Sequence, residues 1–402
     1  MKKNEFLKGA LCGALVILLV LGVVSCAPIS NLINRQTKNE TLDDETENTE
    51  VSQDEIDEKL DVLKEYIDRS YIGEVDEEAL RDGIYKGYIS GLNDPYSEYY
   101  NEEDTKQMSE STSGEYSGVG AVLTQDKKDG RITILRVYDD SPAQESGIKD
   151  GDILLTVGDR ELNSKDDLAE VVTHIKGEEG TPVELTLYRE GETEDVVVTV
   201  TRRKIEAQTV DFEMKNDGVG YLSISEFSDV TLEQYKHALD ELEKQGMKSL
   251  IVDLRNNPGG GLQTVSNILD LMLPEGLTVY MEDKSGKKSE LTSDEANKFE
   301  KPLVVLVNGN SASASEIYAG AIQDYGSGTI MGTQTYGKGV VQQIFDLKDG
   351  TSVKLTIAEY FTPKGRNIDG EGITPDKVVE YEADEENPDY DNQLEEAINY
   401  LK

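Results

Sequence analysis

One serine and one lysine carry the chemistry this sequence offers. The segment Ser311-Ala312-Ser313-Ala314-Ser315-Glu316 follows an apolar run, Leu303 to Val307, and the turn Asn308-Gly309-Asn310, so Ser313 falls where a predicted strand gives way to a helix. A hydroxyl at such a turn is exposed, with backbone N–H groups and the positive helix end beside it. Small neighbours let a substrate backbone approach. This is a setting for a nucleophile whose tetrahedral intermediate needs stabilising. The same residues suit a plain helix cap, because serine is a favoured cap residue. A base must decide between the two.

Histidine supplies no obvious one. His174 and His237 are the only two, and each falls inside a predicted helix rather than in a loop near a strand end. The alternative base is a lysine whose ammonium pKa is lowered by burial. Lys338 stands between Gly337 and Gly339 in the loop after the strand Thr329-Ile330-Met331, among Thr333, Thr335, Tyr336, Val340 and Val341. In a chain this acidic, a lysine with no carboxylate in its immediate sequence is suggestive. Without the serine it would read as a surface turn.

Composition narrows the remaining options. The 402 residues allow two or three domains, and 40 Lys and Arg against 81 Asp and Glu give a net charge of −41. Nucleic acid is excluded as a partner, because phosphate backbones require basic patches. The acids are spread along the chain, which describes a solvated surface. Cys12 and Cys26 lie in the N-terminal apolar stretch, leaving the rest without a disulfide or a thiolate zinc site. No ligand cluster or nucleotide-binding glycine motif points to a metal or an organic cofactor.

The N-terminus reads as an export signal: Lys2, Lys3 and Lys8, then an apolar run from Ala10 to Val24. It fits an uncleaved anchor, a cleaved signal, or a lipoprotein signal at Val23-Val24-Ser25-Cys26, with the acidic body outside in each case. The anchored state at the cell membrane is the expectation.

The elements that must position Ser313 and Lys338 follow from periodicity. Residues 1–27 are the signal or anchor, and 28–54 form an acidic, self-repelling tether. In a helical region over 55–110, Ile56, Leu60, Leu63 and Ile67 recur at helical spacing, and a second helix begins near Glu77. A β-rich segment over 111–203 has short strands and one helix from Lys165 to Ile175, capped near Ser164 or Asp166. From 204 to 382 strands alternate with helices, the signature of an α/β core. There Thr231 and Gln234 have capping-box spacing, and an acidic helical tail occupies 383–402.

Two resemblances then become specific. Ser117-Gly118-Val119-Gly120, followed by Ser141-Pro142-Ala143, Gly147-Ile148, Gly151-Asp152-Ile153-Leu154 and Val157-Gly158, resembles a circularly permuted PDZ domain. A glycine-rich loop before a strand can aim N–H groups at a peptide carboxylate while the peptide adds as an extra strand. Taken alone, Gly118 and Gly120 could simply shape a turn. The catalytic part resembles the carboxyl-terminal processing peptidases, the tail-specific proteases. The matching runs are Val252-Asp253-Leu254-Arg255-Asn256-Asn257-Pro258-Gly259-Gly260, Ser311 to Glu316, Tyr336-Gly337-Lys338-Gly339 with Gln342, and Phe361 to Gly365 with Gly372 to Asp376. The 25-residue separation of Ser313 and Lys338 also fits that family.

This second resemblance implies an α/β multidomain serine endopeptidase that cleaves proteins near their free C-termini. Ser313 would be the nucleophile, Lys338 the base, and Gln342 a hydrogen-bond partner of the lysine amine. Backbone N–H groups of Gly260 and Ala314 would form the oxyanion hole, shaped by Gly259, while Glu316 would have a supporting role. The PDZ domain would recognise the substrate tail through Ser117, Gly118, Val119 and Gly120 and gate the catalytic groove. A homodimer is compatible with this picture. Two other readings share the sequence: a peptide-binding scaffold on an inactive core, and a different acyl-group enzyme on the same core. The presence of both Ser313 and Lys338 opposes the first, and the PDZ segment together with that pair opposes the second.

Overall fold

The computed structural model describes residues 52–294, 296, 298–384, 387 and 390–402. The apolar run from Ala10 to Val24, both cysteines and nearly all of the tether lie outside these residues. Among the described residues no helix is long and apolar enough to cross a membrane. The chain divides into two units, residues 1–75 and 76–402. In the first, α1 (Gln53–Ser70) starts at a capping box between Ser52 and Glu55. Ile56, Leu60 and Ile67 are half-buried on it, whereas Leu63 is exposed.

The second unit opens with α2 (Glu77–Ser90), capped by Asp76, then β1 (Glu98–Tyr100) and α3 (Glu102–Ser113). Gly114 ends α3 in the left-handed region, φ 71°, where glycine avoids the usual Cβ clash.

The PDZ-like segment follows as β2 (Glu115–Gly118), β3 (Ala121–Gln125), β4 (Ile132–Val137), α4 (Pro142–Glu145), β5 (Ile153–Val157), β6 (Arg160–Glu161), α5 (Leu168–Ile175), β7 (Pro182–Tyr188), β8 (Val196–Thr201) and β9 (Arg203–Glu206). Its main sheet runs β3-β4-β5-β7-β8, with β6 on β5, and β2 pairs separately with β9. The alternating residues of β7, Val183, Leu185 and Leu187, are buried with Val171 and Ile175 of α5. Helix α5 starts at Leu168 rather than Lys165. Asp167 is its cap, accepting from Ala169 and Glu170 N–H, while Asp166 is held in the preceding turn by Asn163 and Arg160.

The core comprises β10 (Val210–Met214), β11 (Val219–Ile224), α6 (Thr231–Lys244), β12 (Ser249–Asp253), α7 (Leu262–Asp270), β13 (Gly276–Asp283), β14 (Lys288–Ser293), β15 (Leu303–Val307), α8 (Ala314–Tyr325), β16 (Thr329–Gly332), β17 (Val340–Asp346), β18 (Ser352–Phe361), β19 (Lys377–Val378) and α9 (Asn392–Tyr400). The central sheet has the order β10-β11-β12-β15-β16-β19, and all its pairings are parallel except β10 with β11. Parallel strands covered on both faces read as continuous apolar runs; β12 and β15 are buried at every position. Helices α6, α7 and α8 cover one face around Tyr235, Ile268 and Tyr318. Helix α9 covers the other, where Ala397 and Ile398 meet Ile251, Val304 and Met331. Helix α9 is therefore a layer of the core, fastened further by Arg255 to Asp391 at 2.6 Å. A second sheet, β1-β18-β13-β14 with β17 on β18, lies in the same unit.

The capping box expected at Thr231 and Gln234 does not form. Val230 is the N-cap of α6 without a side-chain cap bond. The Gln234 amide is instead used by the chain before β10: its oxygen accepts from Thr209 N–H at 2.9 Å and its nitrogen donates to the Ala207 carbonyl at 2.8 Å.

Candidate active site

Three loops at the carboxyl ends of β12, β15 and β16 build the site. After β12, Asn257 is fully buried and organises the first loop. Its Nδ2 donates to the Ile224 carbonyl at 2.9 Å, and its Oδ1 accepts from Gly259 N–H at 2.8 Å. Gly259 (φ 108°) and Gly260 (φ 140°) have backbones closed to side chains. A Cβ on Gly260 would stand 2.4 Å from the Phe227 carbonyl oxygen, and one on Gly259 would stand 2.8 Å from Ser313 Cβ. The first loop is thereby pressed against the second.

The second loop ends at Ser313, the N-cap of α8, with φ 54° and ψ −115°. Such a conformation costs on the order of 1–3 kcal/mol for a non-glycine residue and persists only when its surroundings hold it. Ala312 N–H donates to the Asn257 carbonyl at 3.0 Å, and Ser311 Oγ donates to the Leu254 carbonyl at 2.7 Å. Ala314 N–H, the first of α8, has no intrahelical acceptor. Neither it nor Gly260 N–H donates to any described residue, and both residues line a cavity of about 330 Å³ with Ser313, Lys338 and Gln342.

The third loop carries Lys338. Gly339 N–H donates to Asp369 Oδ1 at 3.0 Å, and Tyr336 N–H donates to the Ser311 carbonyl at 3.0 Å. Two buried side chains then fasten this loop to the serine loop. The Glu316 carboxylate accepts from Thr335 Oγ1 (2.6 Å), Gly337 N–H (2.7 Å), Ser313 N–H (2.9 Å) and Lys338 N–H (2.9 Å). Burial raises its pKa, against the four donors that favour the ion. The Tyr360 hydroxyl lies within hydrogen-bond range of the Ser313 carbonyl (3.1 Å) and of the Lys338 carbonyl. Ser313 and Lys338 are thus tied twice, through their N–H groups and through their carbonyls.

The lysine amine itself is half-buried. Burial is the largest influence lowering its pKa, and the Lys354 ammonium adds to it, with Asp94 and Glu316 opposing. Its Nζ lies 4.7 Å from the centroid of the Tyr96 ring and makes no hydrogen bond to Ser313 or Gln342. Gln342 Nε2 donates instead to Thr356 Oγ1 at 3.3 Å. The expected pair and its glutamine therefore share one cavity, with the amine resting on an aromatic face. Lys354, Thr356 and Tyr360 all come from β18, whose pairing with β17 shifts at Ile357, between Thr356 and Ala358.

In the PDZ-like segment, Val119 and Gly118 are buried; Gly120 has φ 80°, and a Cβ there would stand 2.5 Å from Ser141 Cβ. Strand β3 is an edge of its sheet, open to an added strand. At the end of α5, Lys176 Nζ lies 4.7 Å from the Tyr116 ring centroid and pairs with Glu110 of α3 at 2.9 Å. The same helix α3 presents Met108, Ser111 and Thr112 to the catalytic cavity. His174 and His237 are both exposed and stay out of that cavity.

Sequence reasoning missed Tyr96, Asn257, Tyr360 and the Lys176–Glu110 pair. Asn257 alone had a local signal, its place beside Pro258 and three glycines.

A helical N-terminal region, a PDZ domain and an α/β protease core define a multidomain serine peptidase. Residues 218–379 match peptidase family S41, 116–200 match the PDZ domain family, and 19–104 match the N-terminal domain of the activating protease CtpB. The carboxy-terminal processing protease CtpA of Bacillus subtilis is 36% identical over 333 residues, which cover 83% of this chain and 69% of the relative. CtpB of the same organism is 34% identical over 336 residues, 83% of this chain and 68% of the relative. The solved photosystem II D1 C-terminal processing protease aligns at 29% identity and a TM-score of 0.47, covering 80% of this chain and 86% of that one. The chain belongs to peptidase family S41 and is a carboxy-terminal processing serine peptidase.

Proposed function

We propose that the protein is an exported, membrane-tethered endopeptidase in which Ser313 attacks a peptide bond near a substrate's C-terminus and Lys338 takes its proton. One observation carries this reading: Ser313 and Lys338 line a single cavity with the unpartnered N–H groups of Gly260 and Ala314. Lowering of the lysine pKa raises the fraction of neutral amine that can act as base. Attack forms a tetrahedral oxyanion, which the two N–H groups receive; loss of one such donor typically costs ~100-fold or more in rate. Collapse expels the amine of the departing tail, protonated by the lysine, and water then hydrolyses the acyl-enzyme through the same base. For the first step the Lys338 amine must leave the Tyr96 ring for Ser313, with Gln342 turning from Thr356 to hold it.

That movement gives the PDZ domain something to gate. A substrate tail added along β3 would place its carboxylate at Ser117 to Gly120, close to Lys176. Competing for the Lys176 ammonium, it would loosen Glu110 and with it the α3 wall of the cavity. Tethering rests on the basic start and apolar run of the N-terminus.

The test uses the full-length protein in detergent with protein substrates differing only in their C-terminal tails. Wild type cleaves in a tail-dependent manner, and Ser313→Ala and Lys338→Ala each lose ~10⁴-fold or more in kcat. Equal cleavage by all three proteins sinks the assignment.

A further inference from the structure

One acidic residue lining the cavity, Glu226, is not used by the reaction above. Glu226 lies between β11 and α6, one residue before Phe227. Phe227 is fixed on both sides: its N–H donates to the Gly259 carbonyl at 2.9 Å, and its carbonyl accepts from Gly261 N–H at 2.6 Å. Its ring is fully buried in the core. With Phe227 turned inward, Glu226 lines the cavity beside Ser228, Gly260 and Gly261, on the oxyanion-loop side.

The Glu226 backbone carbonyl accepts from Thr231 Oγ1 at 3.0 Å, but its carboxyl has no hydrogen bond or ion pair with any described residue. Burial alone raises its pKa, with no cation among the described residues acting against it. The two amines of the cavity are engaged elsewhere. Lys338 rests on Tyr96, and Lys354 pairs with the Tyr100 hydroxyl and with Glu98 at 3.6 Å. A carboxylate partly withdrawn from water gains from a ligand that brings it a donor. A charged donor satisfies it best, because hydrogen bonds between ionised partners are roughly twice as strong as neutral ones. Leu262 and Ile317 line the same cavity and suit the methylene stem of a long cationic side chain.

We propose that Glu226 is a specificity-determining residue that receives a lysine or arginine side chain of the substrate, in a subsite flanking the scissile bond on the oxyanion-loop side. The inference rests on the reading of Ser313 as nucleophile. It adds a basic position close to the cut to the recognition of the tail.

The test is a peptide series cleaved by the full-length protein in detergent. Each of the three positions on either side of the scissile bond is scanned with arginine, norleucine and glutamate. In wild type, kcat/KM for arginine exceeds that for norleucine by about 10-fold or more at one position, and glutamate is the poorest there. Glu226→Gln brings the arginine-to-norleucine ratio at that position to within about 2-fold, and Glu226→Arg inverts the order so that glutamate leads. The ratio is internal to each preparation, so a smaller folded fraction leaves it unchanged. A flat ratio at all six positions in wild type overturns the subsite, even if both variants fail to fold; so does a preference that Glu226→Gln keeps in full. Ser313→Ala separates the two layers. Cleavage that survives it sinks the nucleophile assignment, whereas Ser313-dependent cleavage with no basic preference sinks only the subsite.

Discussion

The two catalytic loops and the junction between the PDZ domain and α3 are fastened in opposite ways. Between Ser313 and Lys338 the fastening is buried and redundant: one carboxylate with four donors and one phenol touching two carbonyls. Between the PDZ domain and α3, one partly exposed pair, Lys176 with Glu110, sits on the aromatic face of Tyr116. Buried networks are costly to break because each lost acceptor strands donors away from water. Exposed ion pairs contribute about 0–1 kcal/mol and exchange partners readily. The fastening is firm around Ser313 and Lys338 and, on the gating proposal, looser where a substrate tail would act.

Breaking the buried side has the largest expected effect. Glu316→Ala strands the N–H groups of Ser313, Gly337 and Lys338 and the Thr335 hydroxyl, so stability falls by about 3 kcal/mol or more in chemical denaturation. Activity falls with it, measured on the fraction still folded. A loss below about 1 kcal/mol would show that the carboxylate is not the fastener. Tyr360→Phe removes only a hydroxyl, for about 1 kcal/mol of stability and ~10-fold in kcat with KM little changed. An effect confined to KM would place Tyr360 in substrate binding instead.

The pH profile sharpens the contrast electrostatically. As the proposed base, Lys338 would act only when neutral, so kcat/KM is expected to rise with pH through its pKa, which burial and the Lys354 ammonium hold below the usual lysine value. Lys354→Met removes the like charge, so the Lys338 pKa rises and the ascending limb moves to higher pH. A limb that stays in place, or moves lower, would exclude Lys354 as an influence on the base. The smallest effect belongs to the exposed side. Lys176→Ala changes stability by less than about 1 kcal/mol yet weakens the difference in rate between good and poor tails. An unchanged tail dependence would remove the pair from the gating route.

The positions of Ser313 and Lys338 were legible because each stands at a turn whose sequence is unlike its surroundings. The alternation of strands and helices after Arg203 gave the core for the same reason: β12 and β15 are buried on both faces and read as unbroken apolar runs. Tyr96 and Tyr360 were not legible. Their partners lie far along the chain, 47 residues for Tyr360 and Ser313, and tyrosine carries no positional signature of its own. Glu316 could be seen to belong to the serine motif, but its four donors come together only when the Thr335–Lys338 loop folds against α8. Thr231 and Gln234 show the converse, a local pattern overridden because residues before β10 use the glutamine first.

Strand β18 has a consequence for how this protein can vary through evolution. Lys354 near Lys338, Thr356 beside Gln342 and Tyr360 against both loops are all set by the register of one ten-residue strand, which is paired on its flanks to β1, β13 and β17. Replacing any one of them alters one contact. Inserting or deleting a single residue early in the strand would turn the side chains beyond it to the opposite face at once. Length should therefore be under stronger constraint than identity along 352–361, and natural variation there should consist of substitutions without gaps.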